Sequence, residues 1–255
     1  MMLQKTSVVL VIGGLGILAA CSGPEKKVAQ AAKPVEYFHV DPATAATVHG
    51  RIVFHGEKPA KRRIAMDADA GCQQANQDKP VFEETVVTGK DGGLANAFVY
   101  IKTGLEGKNF EAPKEPVRIA QHGCMFEPRA IGARAGQNID IANRDPVSHN
   151  FHAMPANSRD WDQQQSPGAG DIEHRFPRPE IMIPVKCNVH SWMRAYIGVM
   201  PHPYFAVTSA DGSYEWNNLP PGDYTVAVWH EKLGEQTAAV HVAANGKETV
   251  DFTYR

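Results

Sequence analysis

Pro184-Val185-Lys186-Cys187-Asn188-Val189-His190-Ser191-Trp192-Met193 is the stretch on which the reading of this chain turns. It sets a thiol, an imidazole and a thioether at C-x2-H-x2-M spacing. A second imidazole stands 38 residues before Cys187, in Asn143-Arg144-Asp145-Pro146-Val147-Ser148-His149-Asn150. Working back from there, Val117-Arg118-Ile119-Ala120 and Ile131-Gly132-Ala133-Arg134 read as short strands. Ala135-Gly136-Gln137 marks a turn, and Asn138-Ile139-Asp140-Ile141-Ala142-Asn143 alternates as a strand should, delivering His149 on the loop that follows. The 22 glycines and 18 prolines punctuate the 255 residues every few positions. Such punctuation suits many short strands and disfavours a helical bundle. The expectation is an all-β chain.

Two His, one Cys and a weak axial Met form the ligand set of a blue-copper electron-transfer site. Soft sulfur favours Cu(I), imidazole suits both oxidation states, and the compromise keeps rearrangement small when one electron moves. Two other readings of the same residues stand beside it. Cys187 pairs in a disulfide and leaves His190 and Met193 as packing, or His152, three residues after His149, replaces it as ligand.

The order of these elements across about residues 113–200 resembles the cupredoxin family, the plastocyanin- and amicyanin-like blue copper proteins. Phe126-Glu127-Pro128, then Gly136, Ile139 and Asn143 in register, then His149-Asn150 and the Cys187 loop are similar to that family's pattern. The resemblance implies a Greek-key β-sandwich holding one type 1 copper per chain. It implies His149, Cys187 and His190 as trigonal ligands and Met193 as the long axial one. Asn150 would pin the Cys loop by hydrogen bonding. Electrons would pass through a partly exposed His190, with Trp192 helping to form an apolar docking patch. Val185 stands where the family carries an aromatic, and the Pro common inside the loop is missing, with Val189 and Trp192 instead. With Cys187 on a metal, Cys72 and Cys124 remain as an even pair and a candidate disulfide.

Downstream, Tyr204 to Tyr224 is a run of short strands and turns in which Asp211-Gly212 is a hairpin signal and Pro220-Pro221-Gly222 forces another reversal. Tyr224, Val226 and Val228 alternate on one face. This stretch resembles the carboxypeptidase regulatory-like domain, a small transthyretin-type β-sandwich. Its opening half is similar to Gly50-Arg51-Ile52-Val53, Gly56-Glu57-Lys58-Pro59 and Ala97-Phe98-Val99-Tyr100-Ile101, far upstream. The cupredoxin of 113–200 is therefore expected to interrupt a sandwich built from 46–112 and 201–255, the alternative being two tandem domains. No His has Glu three residues on, so the H-x-x-E pair of a zinc carboxypeptidase is absent. No H-x-H pair offers the ligands of a trinuclear copper cluster. No acid/base pair suggests an enzyme.

Residues 1–20 read as a lipoprotein signal peptide: Lys5 supplies the positive start, and Val8–Ala20 is an apolar run of 13 residues, short of the ~20 that span a bilayer. Leu18-Ala19-Ala20-Cys21 resembles the bacterial lipobox, which makes Cys21 the lipidated N-terminus. Ser22 favours the outer membrane. Residues 21–45, rich in Ala, Pro and Lys, read as a tether. A net charge of −2 gives no basic field for nucleic acid. Export into an oxidising compartment leaves three cysteines, an odd number, so one has another task. The expected function is one-electron shuttling at the periplasmic side of the cell envelope. The partners would be transient redox proteins, a cytochrome or a respiratory complex. Copper storage or delivery and a structural envelope role are the rivals.

Overall fold

β1 (Ala46–Phe54) buries every second residue along its nine, so Val48, Ile52 and Phe54 point into a core while Thr47, His49 and Arg51 stay at the surface. The same period-two logic recurs in other strands of this computed structural model, which describes residues 35–255. The signal segment, Cys21, Ser22 and the first part of the tether lie outside the described residues. After β1 come the short helix α1 (Ala70–Ala75), β2 (Phe98–Thr103), β3 (Val117–His122), β4 (Met125–Glu127), β5 (Ala130–Arg134) and β6 (Ile139–Asn143). They are followed by β7 (His149–Ala153), β8 (Trp161–Gln165), β9 (Ile172–His174), β10 (Glu180–Lys186) and β11 (Arg194–Met200). The chain closes with β12 (Phe205–Val207), β13 (Ser213–Leu219), β14 (Gly222–His230), β15 (Gly234–Val242), β16 (Lys247–Thr249) and β17 (Phe252–Tyr254).

These strands form four sheets and, as expected, an all-β architecture. Two sheets, β13-β1-β16 with β17 also on β1, and β12-β2-β14-β15, enclose a core that includes Val48, Ile52, Leu94, Trp216 and Val226. The other two, β5-β11-β10-β7-β8 and β4-β3-β6-β9, enclose a core with Ile119, Phe126, Phe151, Ile183 and Ile197. β1 and β2 precede β3–β11 in the chain, yet every strand they pair with, β12, β13, β14, β16 and β17, follows β11. Within 46–112, however, Ile64, Met66 and Cys72 pack into the second core rather than the first. The excursion between β1 and β2 thus covers the far end of β3–β11. Its apolar residues and Cys72 find their partners there.

A third cluster, Phe98, Tyr100, Ala130, Met182, Met200 and Ala227, joins the two sandwiches. The Phe98 ring lies over Gly198, where a methyl group would have no room. Glycine here permits the close approach of two sheets. Arg129 and Glu231 form an ion pair across the same seam, joined by the Tyr196 hydroxyl, which donates to Glu231 Oε2 at 3.1 Å. The Asp211-Gly212 turn does not make a hairpin. Gly212 takes a positive φ of 75°, but β12 before it pairs with β2 and β13 after it pairs with β1. The turn carries the chain from one sheet to the other because the two faces of a sandwich must be bridged.

Candidate metal centre

His149 opens β7 rather than sitting on the preceding loop. Alternation along β7 buries His149, Phe151 and Ala153 and turns Asn150 and His152 to the other face. Cys187 follows the last residue of β10, and the loop to β11 folds tightly back. The Cys187 amide donates to the Met193 carbonyl at 3.2 Å and the Met193 amide to the His190 carbonyl at 3.0 Å. Cys187, His190 and Met193 are all buried.

His149 Nδ1 lies 3.0 Å from His190 Nδ1, and Cys187 Sγ lies 3.8 Å from His190 Nδ1. The donor atoms of these three residues all fall within 4.8 Å of one another. Their outer edges are held as well. His149 Nε2 meets Asp145 Oδ2 at 2.9 Å, and His190 Nε2 meets Asp69 Oδ2 at 3.1 Å. A carboxylate on the outer nitrogen fixes the tautomer and aims the inner lone pair at an ion. The two inner nitrogens face each other at 3.0 Å, an arrangement that calls for a cation, a proton or a metal ion, between them. The separations fit one ion bound at about 2.0 Å to nitrogen and about 2.3 Å to sulfur. The residues present therefore fit a metal.

The electrostatics point the same way. Burial by itself would raise the Cys187 thiol, but its contact with His149 and the amides of Asn150, His190 and Val189 outweigh that and lower it. Burial would likewise lower His149, but Asp145 and the Cys187 sulfur outweigh it and raise it. Asp145 is lowered despite its own burial by His149 and by the amides of Cys124 and Gly123. Thiolate character at Cys187 is what metal binding requires.

Cys72 and Cys124 are joined in a disulfide, their Cα atoms 5.7 Å apart, and among the described residues Cys187 is the free thiol. The expected pair is thus present. Its surroundings were not foreseen: Cys72 Sγ sits 3.5 Å from His190 Nε2. His190 is only 2% exposed, so it does not reach the surface as the resemblance implied. Asp69 and Cys72, carried on the excursion before β2, cover that edge of the ring. Trp192 is half-buried, its ring centre 5.1 Å from that of His190, and its Nε1 donates to the Cys124 carbonyl at 2.9 Å. It lines an open cleft of about 520 Å³ with Arg62, Arg129 and Arg194.

Asn150 also acts differently from expectation. Its backbone amide, not its side chain, donates to Cys187 Sγ, at 3.3 Å. Its side-chain amide donates to Asp162 at 3.1 Å, and Asp162 in turn accepts from Asn188 beside Cys187 at 2.7 Å. The loop is pinned through that intermediary because Asn150 points away from the buried face of β7. His152, on the same face, bonds Asn188 at 2.9 Å and Asp160 at 2.9 Å and stands apart from the donor cluster. Sequence reasoning missed Asp145 and Asp69. Asp145 lies four residues before His149 and was within reach of inspection; Asp69, 121 residues from His190, carried no local signal.

No curated protein matches the chain in sequence. Among solved structures it is similar to a Cu-containing nitrite reductase from Thermus scotoductus SA-01, at 20% identity and a TM-score of 0.31, over 40% of this chain and 25% of that one. The chain thus spans a quarter of that reductase. It is similar to a purple cupredoxin from Nitrosopumilus maritimus at 18% identity and a TM-score of 0.29, over 33% of this chain and 99% of that one. An oxidized point mutant of amicyanin matches at 15% identity and a TM-score of 0.31, over 40% and 98%. Residues 199–255 match the family model of the carboxypeptidase regulatory-like domain, and the structures to which the chain is similar are cupredoxins.

Proposed function

We propose that this chain is a type 1 copper electron-transfer protein, with His149, Cys187 and His190 as ligands and Met193 as the weak axial one. The observation that carries the reading is the convergence of two inner imidazole nitrogens and one thiol sulfur in a buried pocket. Bound there, copper would supply a one-electron couple between Cu(II) and Cu(I). The protein does the rest. Asp145 and Asp69 hold the rings by their outer nitrogens, the Asn150 amide steadies the sulfur, and burial keeps water away from the donors. Fixed ligands leave little to rearrange when the charge changes.

Trp192 supports a route for the electron, since its ring lies 5.1 Å from that of His190 and it lines an open cleft. A redox protein docking there would do so transiently, through a small interface. Strands β1 and β2, which share their two sheets with β12–β17, support reading 113–200 as inserted into the enclosing sandwich. Lipidation at Cys21 would tether the whole to the envelope.

The test is the visible and EPR spectrum of residues 22–255 titrated with Cu(II), beside Cys187→Ser. An intense thiolate-to-copper band at one copper per chain, absent from the variant, is expected. A colourless protein with only Cu(I) affinity would replace this reading with storage or delivery, and no binding would leave a structural envelope role.

A further inference from the structure

His190 is doubly unusual for an electron port: it is buried, and the residue that buries it comes from outside β3–β11. Asp69 is the N-cap of α1, where its Oδ1 accepts from the Cys72 amide at 2.9 Å while its Oδ2 faces His190 Nε2 at 3.1 Å. One carboxylate therefore caps a helix and grips an imidazole. The helix has little freedom to drift. Cys72 is bonded covalently to Cys124, and Asn76 at its end donates to the Cys72 carbonyl at 2.9 Å and the Gly123 carbonyl at 3.0 Å. On the other side of the same disulfide, the amides of Gly123 and Cys124 donate to Asp145 at 2.7 and 2.8 Å. Asp145 holds His149. A single cross-link thus anchors both carboxylates that grip the two imidazoles.

Resting on the copper reading above, we infer that Asp69 is a positioning residue that locks His190 from its outer edge and biases the centre toward the oxidised ion. A fixed negative charge beside a ligand ring attracts the more highly charged ion more strongly, and although the Asp69 carboxylate is partly exposed it acts through a His190 ring that is buried. It also makes the imidazole a better donor, and partners of this kind commonly contribute 10–100-fold to metal affinity. Here the contribution falls mainly on Cu(II). Closing the outer edge of His190 also removes it as a contact point, which leaves Trp192 as the neighbouring aromatic at the cleft.

Asp69→Asn removes the charge and keeps a side-chain oxygen able to cap α1. In the otherwise intact chain, competition with chelators for Cu(I) and for Cu(II) should show the affinity ratio moving about tenfold toward Cu(I). For a one-electron couple that is a rise of about 59 mV in the potential read by spectroelectrochemistry. Asp69→Glu, which keeps the charge, should restore most of the difference. A thermal midpoint within error of the wild type and, in metal-free residues 22–255, a count of one free thiol certify that fold and disulfide are intact. An unmoved ratio in Asp69→Asn overturns the proposal. So does an equal rise in Asp69→Glu, which would assign the effect to packing.

The metal-free protein gives a second readout. Nitrogen-15 NMR should find His190 protonated at Nε2 in the wild type and losing that preference in Asp69→Asn. Should the wild type bind no copper, the functional reading falls, and this measurement alone judges the positioning: an unchanged tautomer overturns it.

Discussion

Replacing both Cys72 and Cys124 with serine removes a cross-link between residues 52 apart in sequence. For a closed loop of that length, the restriction of the unfolded chain corresponds to ~4 kcal/mol. The loop contains β2, which pairs with β12 and β14 in one sandwich, while its two ends lie in the core of the other. The loss therefore falls on chain that builds both cores. Against it stand contacts the substitution leaves in place: Asn76 to Gly123, Asp145 to the Gly123 amide, and the burial of Ile64 and Met66. These hold the folded segment near its position, so the cost is chiefly one of the unfolded state. Urea unfolding of the metal-free protein, followed by far-UV circular dichroism, is the assay. With a slope of about 2–3 kcal/mol/M the midpoint should fall by roughly 1.3–2 M. A loss below ~1 kcal/mol would refute the reasoning, since it would mean the segment gains nothing from being tied.

Gly198→Ala places a methyl group where the Phe98 ring already lies, and overpacking of this kind costs ~1–3 kcal/mol; an unchanged thermal midpoint would show that the seam between the sandwiches yields. His202 and His230 are buried, and burial lowers both to about 4 from the usual 6.5. The unfolded chain therefore binds more protons than the folded one between those values. Stability should be full above pH 6.5 and fall as the pH drops toward 4, by on the order of 3 kcal/mol for each histidine. His202→Gln should flatten the pH dependence of the urea midpoint over that window, and an unaltered slope would contradict the assignment. Glu231→Gln leaves Arg129 buried with a weakened partner and should cost ~3–5 kcal/mol in the same unfolding assay; a cost below ~1 kcal/mol would mean the guanidinium finds water.

What was legible in the sequence was what spacing and period encode. C-x2-H-x2-M is a statement about one loop, and alternation in 138–143 or 224–228 is a statement about one strand, so both could be read without knowing the rest of the fold. The odd thiol was legible because counting needs no geometry. Asn150 shows where such reading stops: the bond to Cys187 comes from a backbone amide, which every residue but proline possesses, so no side chain announces it. Asp211-Gly212 shows a related limit, since a turn signal states that the chain reverses and not which sheet receives it.

Asp69 shows the deepest one. A resemblance confined to 113–200 compares only the residues inside it, and within them the outer edge of His190 has no partner and must be expected at the surface. The partner arrives on the excursion between β1 and β2, a stretch with little regular structure beyond α1. Its placement follows from the strand pairing: β1 and β2 share their sheets with β12–β17, so everything between them must leave and return to the enclosing sandwich. The disulfide then fixes where along that path the chain touches the donor cluster. The enclosing sandwich is in this sense part of the site. It presents the carboxylate and one half of the cross-link to a donor cluster whose residues all lie elsewhere, and a copy of 113–200 alone would expose His190 and lose both.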